Sequence, residues 1–227
     1  IKKFEFNRYP DPMAKGACGA FAELFGINSD YITAGNGSDE LISMLLGAFL
    51  QKGDKIMTFS PDFTMYSFYS GLFELENSVY IKDEDFNVDI NEVIKRLNTE
   101  NIKLVIFSNP CNPTAVGIER NDIIKLLDNT QVITVIDEAY MDFWNQSVLD
   151  LIEEYENLII LKTCSKAFGL ASLRCGFAIS GKKMTDHIRN AKSPYNVNGL
   201  TQIIVKAILS KKEFIANAVN EVKESAN

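Results

Sequence analysis

Seven short runs of apolar, largely β-branched residues punctuate the chain, and the stretches between them carry helical spacing. The runs are Tyr31 to Ala34, Lys55 to Phe59, Ser78 to Ile81, Leu104 to Phe107, Val132 to Ile136, Leu158 to Leu161 and Gly176 to Ile179. Several lack any polar alternation, which is how a strand reads when both of its faces are covered. Between them, Leu41, Ile42, Leu45, Leu46 and Phe49 share one helical face behind the start signal Asn36-Gly37-Ser38. Ile90, Val93, Ile94 and Leu97 repeat that spacing, as do Ile123, Ile124, Leu126 and Leu127. Strands alternating with helices require right-handed crossovers and place helices on both faces of the sheet. The sequence therefore predicts an α/β fold, a three-layer sandwich around a mainly parallel sheet of about seven strands. At 227 residues, 46% of them hydrophobic, the chain is long enough to bury such a core.

Charge and residue usage exclude several function classes. Lysine and arginine total 23 against 30 acidic residues, a formal net charge of −7 that repels phosphate backbones, so no nucleic-acid partner is expected. The longest apolar stretch, Leu41 to Leu50, is too short for a membrane span, and Ile1 to Asn7 mixes charge with aromatics where a secretory core would be apolar. No membrane partner is expected either. Cys18, Cys111, Cys164 and Cys175 form no Cys-x-x-Cys pair, and His187, the one histidine, sits in a polar stretch that reads as a solvated helix face. No metal site is expected, and unpaired cysteines among apolar neighbours suit a reducing cytoplasm. Any chemistry must use lysine, carboxylates, tyrosine or a cofactor.

Open α/β sheets bind ligands beyond the carboxyl ends of their strands. The residues that follow the runs are polar in a way a packed core would reject. They are Gly35-Asn36-Gly37-Ser38, Ser108-Asn109-Pro110-Cys111-Asn112-Pro113-Thr114, Asp137-Glu138-Ala139-Tyr140, and Lys162-Thr163-Cys164-Ser165-Lys166-Ala167-Phe168-Gly169, with Arg174 eight residues after Lys166. Taken singly, each has an ordinary explanation: a proline turn, a helix cap at Asp137, a surface lysine at 166. Gly35 and Gly37 lack the third glycine of a dinucleotide fingerprint, since Glu40 stands in its place, and no P-loop occurs.

Taken together, these motifs resemble the fold-type I pyridoxal-phosphate aminotransferases. Asn7-Arg8-Tyr9-Pro10-Asp11 and Pro194-Tyr195-Asn196-Val197-Asn198 resemble the histidinol-phosphate aminotransferase branch in particular. The resemblance runs through nearly the whole chain in family order. It implies pyridoxal 5'-phosphate as cofactor, with Lys166 as the covalently linked lysine and proton carrier, and Asp137 as partner of the pyridine nitrogen. It makes Tyr140 and Asn112 donors to the phenolic oxygen and Phe63 the aromatic stacked on the ring. Phosphate anchors would be Arg174, the hydroxyls of Thr163 and Ser165, and backbone amides of the Gly37-Ser38-Asp39 turn at a helix N-terminus. Because carboxylates repel phosphate, the side chains of Asp39 and Glu40 are expected to point away. Tyr9 would reach the site of a partner subunit in a homodimer.

The implied activity is transfer of an amino group between an amino acid or amino-alcohol phosphate and a 2-oxo acid. An amino-acid-phosphate decarboxylase of the same fold and a non-catalytic cofactor-binding module are alternatives, and a nicotinamide domain is the weakest. Ala115 and Ser172 replace glycines usual in the family, and Cys111 an asparagine. Ala115 matters if its turn needs positive φ. The expected organisation is an N-terminal interface arm over 1–12, a cofactor-binding large domain over 13–197, and a long helix over 198–227 leading towards a small C-terminal domain. In this family the small domain carries the arginine that grips the substrate carboxylate, so that residue is not assigned within these 227.

Overall fold

The computed structural model describes residues 4–225. All seven predicted strands form: β1 (Ile32–Gly35), β2 (Lys55–Ser60), β3 (Glu76–Ile81), β4 (Ile102–Ser108), β5 (Ile133–Asp137), β6 (Leu158–Thr163) and β7 (Gly176–Ser180). They make one sheet in the order β1-β7-β6-β5-β4-β2-β3. Neighbours from β6 to β3 run parallel, whereas β7 is antiparallel to both β6 and β1. The central strands β6 and β7 are buried at every residue, as runs without alternation require. The edge strand β3 alternates less and exposes Glu76, Val79 and Ile81.

Helices cover both faces. On one lie α1 (Lys15–Phe25), α4 (Ile90–Thr99), α5 (Arg120–Asp128), α7 (Gly199–Leu209) and α8 (Lys212–Ser225), packed around Phe21, Val93, Phe107, Leu126 and Phe177. On the other lie α2 (Ser38–Phe49), α3 (Met65–Leu72) and α6 (Lys182–Ala191), packed around Leu41, Leu45, Tyr66, Leu104 and Ile159. The result is the expected three-layer sandwich. Local chemistry sets the helix ends. Asp89 caps α4 by accepting from the amides of Asn91 and Glu92, Asn198 caps α7 through Thr201 N, and Gly26 closes α1 at φ 70°. His187 is exposed on α6, as read from the sequence. No described helix is long and apolar enough to cross a membrane.

One expectation needs correction. The long helix over 198–227 is two helices, α7 and α8, parted at Ser210 and Lys211. The Ser210 hydroxyl donates to the Lys206 carbonyl at 2.8 Å, and the Lys211 amide donates to Ile208 O three residues back. That local bonding competes with the helical ladder and ends it. Val205 and Leu209 of α7 then bury completely beside α1.

Two backbone positions bear on the site. Ala115 adopts φ 60°, so the turn after Asn-Pro-Thr does require the left-handed region, which alanine enters at a cost of about 1 kcal/mol. At Gly176, the first residue of β7, a Cβ would meet Ser38 N at 2.6 Å, Gly37 C at 2.8 Å and Lys162 O at 3.1 Å. All three are backbone atoms and cannot rotate aside. We predict that Gly176→Ala destabilises the fold by about 1–3 kcal/mol through forced separation of β7 from the start of α2. Gly19→Ala, within α1 where nothing lies within 4 Å, should instead stabilise by about 0.5–1 kcal/mol. Urea midpoints test both, and equal effects would refute the packing argument.

Candidate active site

Parallel strands end along one edge of the sheet, and one cavity opens there. It is lined by Ser38 and Asp39 from the start of α2, Phe63 and Tyr66 beyond β2, Ser108 and Asn112 from the end of β4, Asp137, Ala139 and Tyr140 from β5, and Thr163, Ser165, Lys166 and Arg174 around β6. Ten of the residues read from the sequence thus converge. Gly37 does not line the cavity but shapes it. At φ 86° it bears no Cβ, which would otherwise stand 2.8 Å from Arg174 Nη2, so the guanidinium lies against the N-terminus of α2. Tyr9 lies outside the cavity, 80% exposed, with its ring stacked on Tyr195 at 4.6 Å.

Asp137 ends β5 and is buried. Its Oδ2 accepts from the Tyr66 hydroxyl at 2.9 Å and its Oδ1 from Ala139 N at 3.1 Å. Burial pushes its carboxyl up to about 6, against the lowering effect of those two donors. The neighbouring charges of Asp62 and Asp39 push it further in the same direction. Tyr66 is raised well above the usual tyrosine range, first by burial and then by Asp137 and Asp62. Glu138, the next residue, serves the opposite side. There it accepts from Ser147 Oγ and Val148 N and pairs with Lys162 Nζ at 3.3 Å.

The two lysines near the end of β6 part company for the same reason. Lys162 points into the core of the α1 face, almost fully buried between Glu138, Asp142 and the Phe25 ring. Lys166 lies beyond the strand in a tight loop closed by Leu170 N to Cys164 O and Gly169 N to Lys166 O. The residue is exposed, and its amine stands 5.1 Å from the centroid of the Tyr140 ring and among the described residues pairs with no carboxylate. Thr163 Oγ1 accepts from Ser165 N at 3.2 Å, so both hydroxyl-bearing residues turn together at the strand end.

Asp39 departs from expectation. Its carboxylate does not turn away but accepts from Arg174 Nη2 at 3.0 Å. From the first turn of α2 it lies within reach of the guanidinium, and opposite charges close the gap. Glu40 does point away, accepting from Asn36 N at 2.6 Å and Asn196 Nδ2 at 2.7 Å. Sequence reasoning missed Tyr66 and Asp62 and, although it picked out the strand end that carries Ser108, gave that residue no role. The signal for Tyr66 was its spacing from Phe63, three residues that place the two rings edge to face at 5.5 Å.

A family model for aminotransferases of class I and II matches residues 2–227. The chain belongs to that family. It is 45% identical over 225 residues to the histidinol-phosphate aminotransferase of Clostridium novyi (strain NT), covering 99% of this chain and 63% of that protein. It is 44% identical over 223 residues to that of Clostridium kluyveri, covering 98% and 64%. The chain thus spans just under two thirds of the length of these curated relatives. It superimposes on the histidinol-phosphate aminotransferase of Sinorhizobium meliloti in complex with pyridoxal-5'-phosphate with a TM-score of 0.89 at 19% identity, covering 96% of this chain and 60% of that one. It also superimposes on L-threonine-O-3-phosphate decarboxylase of Porphyromonas gingivalis with a TM-score of 0.80 at 23% identity, covering 94% and 67%. At such identities the likeness is one of fold.

The elevated pKa of Asp137 has a measurable sign. A carboxyl that is 3.8 ordinarily and about 6 when folded binds its proton more tightly in the native state. It therefore favours folding most below pH 4, and this contribution is lost as pH rises through about 6. Without added ligand, the protein should lose about 2 kcal/mol of stability between pH 4 and 7 relative to Asp137→Asn. Urea midpoints across that range measure it, and a pH-independent difference would contradict the assignment.

Proposed function

We propose that the intact protein is a pyridoxal-phosphate-dependent aminotransferase that moves an amino group between histidinol phosphate, or a closely related amino-alcohol phosphate or amino acid, and a 2-oxo acid. One observation carries the reading: a single cavity gathers an exposed lysine, a buried carboxylate, and an arginine with hydroxyl-bearing residues beside the N-terminus of α2. That last grouping suits a dianion, with the amide end of α2, two hydroxyls and a guanidinium, while Asp137, held by neutral donors only, suits a cationic ring nitrogen. The relatives at 44–45% identity, both histidinol-phosphate aminotransferases, support the choice of substrate.

When bound, pyridoxal phosphate supplies an electron sink for the carbanion left as an amino acid loses its α-proton. The chain's own residues do the rest. Ser38, Thr163, Ser165 and Arg174 would hold the phosphate, and Asp39, now paired with Arg174 at 3.0 Å, is the internal partner that the phosphate would replace. Asp137 would keep a proton on the ring nitrogen, Asn112 and Tyr140 would hydrogen-bond the phenolic oxygen, and Phe63 would cover the ring. Lys166 is the residue that would hold the group covalently and would move a proton at the substrate's α-carbon. The four free, buried cysteines support a cytoplasmic location.

Borohydride reduction followed by peptide mapping should place a pyridoxyl group on Lys166 and none on Lys162, whose amine is committed to Glu138. Product analysis with histidinol phosphate and 2-oxoglutarate should yield glutamate. Release of carbon dioxide from an amino-acid phosphate would establish the decarboxylase instead, and no turnover with any donor an inert module.

Tyr9 is proposed to complete the site of a partner subunit. Its exposure and its distance from its own chain's cavity support that role. Lys166→Ala and Tyr9→Ala, each impaired alone, should regain activity when subunits are exchanged, because one site of the mixed dimer then has both native residues. Absence of recovery after verified exchange would place Tyr9 in its own subunit.

A further inference from the structure

Beyond the cavity's own lining, three strand ends are tied together by buried charge. Lys82 follows β3, Asp62 follows β2 and Ser108 ends β4, and these strands are neighbours in the sheet. The Lys82 and Asp62 side chains are 4% and 1% exposed, with Nζ 3.6 Å from Oδ2. The Ser108 hydroxyl donates to Asp62 Oδ1 in a short hydrogen bond, and Ser108 N approaches Oδ2 at 3.3 Å. Past the last ladder position the peptide groups no longer join β2 to β4, and this carboxylate takes over.

Two cavity residues hang from the same carboxylate. Phe63 N donates to Asp62 Oδ1 at 2.7 Å, which fixes the backbone of the ring-facing aromatic. Asn112 N donates to the Ser108 hydroxyl at 3.1 Å, so the loop carrying the Asn112 amide is anchored through Ser108 to Asp62. Ser108 can donate to the carboxylate and accept from Asn112 at once, because a hydroxyl has one proton and two lone pairs. Aspartate can accept all three contacts and still face an ammonium.

We propose that Asp62, neutralised by Lys82, is a positioning residue that sets Phe63 and Asn112 against the pyridoxal ring. The inference rests on the functional reading above but concerns ring orientation, which can be read without turnover. Replacing one partner of a buried ion pair strands the other, so the pair is best removed together, as Asp62→Asn with Lys82→Met. Ser108→Ala cuts the link to Asn112 and leaves the ion pair whole.

The experiment titrates pyridoxal phosphate into the intact protein and both variants after cofactor removal. It records the dissociation constant, the visible circular dichroism per bound cofactor and the melting temperature. Both variants should melt within a few degrees of the parent, bind the cofactor about tenfold more weakly, and show weakened visible dichroism at saturation because the ring is no longer held in one orientation. Parental affinity and dichroism in Ser108→Ala would overturn the proposal even if the double variant failed to fold. Parental values in a folded double variant would overturn it equally. A parent that binds no pyridoxal phosphate would overturn the functional reading itself, an outcome distinct from either.

Discussion

A carboxylate taken out of water with no cation beside it must be held by dipoles, and Asp137 has two, the Tyr66 hydroxyl and the Ala139 amide. Much of the cavity follows from meeting that demand. Ala139 N can reach back only if the chain turns directly after β5, which brings Tyr140 over the Lys166 amine. Tyr66 can reach only if α3 begins close to the strand ends, so the connection from β2 has to be short and rigid. Asp62 supplies that rigidity by bonding both its neighbour Phe63 and the end of β4. The position of one buried acid thus constrains a helix, two loops and a sheet edge.

Strand geometry then sorts the charged groups by face. Successive side chains along a strand point to opposite sides, so the charged residues around β5 and β6 divide between the cavity and the core. Asp137 and Thr163 look into the cavity, whereas Glu138 and Lys162 turn to the α1 side and neutralise each other. Lys166 escapes this pairing because it stands beyond the strand, in a loop whose own hydrogen bonds point its backbone and not its amine. An exposed amine beside an aromatic ring is available for covalent chemistry in a way that Lys162, charged and enclosed, is not.

These sorting rules explain which features were legible in the sequence. The seven strands were legible because runs such as Leu158 to Leu161 can satisfy only a strand covered on both faces. The reversed direction of β7 was not, since periodicity carries no sign. The polar strand ends at 35–40, 108–114, 137–140 and 162–174 were legible as a site because a core would exclude them. Tyr66 was hidden because a tyrosine among Met65, Phe68 and Tyr69 reads as helix packing, and its partner lies 71 residues away. Asp62 was hidden likewise, with Ser108 at a separation of 46. Asp39 was misjudged because the argument from the helix dipole considered its own helix alone, while Arg174 arrives from 135 residues on. What escaped sequence reasoning around the cavity is, for Tyr66, Asp62 and Asp39 alike, a polar contact between distant segments.

Two buried ion pairs, Lys82–Asp62 and Lys162–Glu138, stand on either side of the β4–β5 strand ends, and each joins neighbouring strands just where the parallel ladder gives out. Their placement is informative because such pairs contribute little net stability. Apolar residues of the same volume often do as well, whereas loss of one partner costs about 3–5 kcal/mol. An interaction with that asymmetry is poor glue but a strict gauge: it tolerates almost no displacement of either charge. Apolar packing would have held the strand ends together while leaving them free to shift by fractions of an ångström. On the proposed reading, a site that orients a flat ring between Phe63, Asn112 and Asp137 could not accept that freedom, since positioning errors of this size would erode the alignment on which proton transfer depends. Charge at the sheet edge therefore serves geometry first, and the fold bears the desolvation cost in the two places where strand ends carry the cavity.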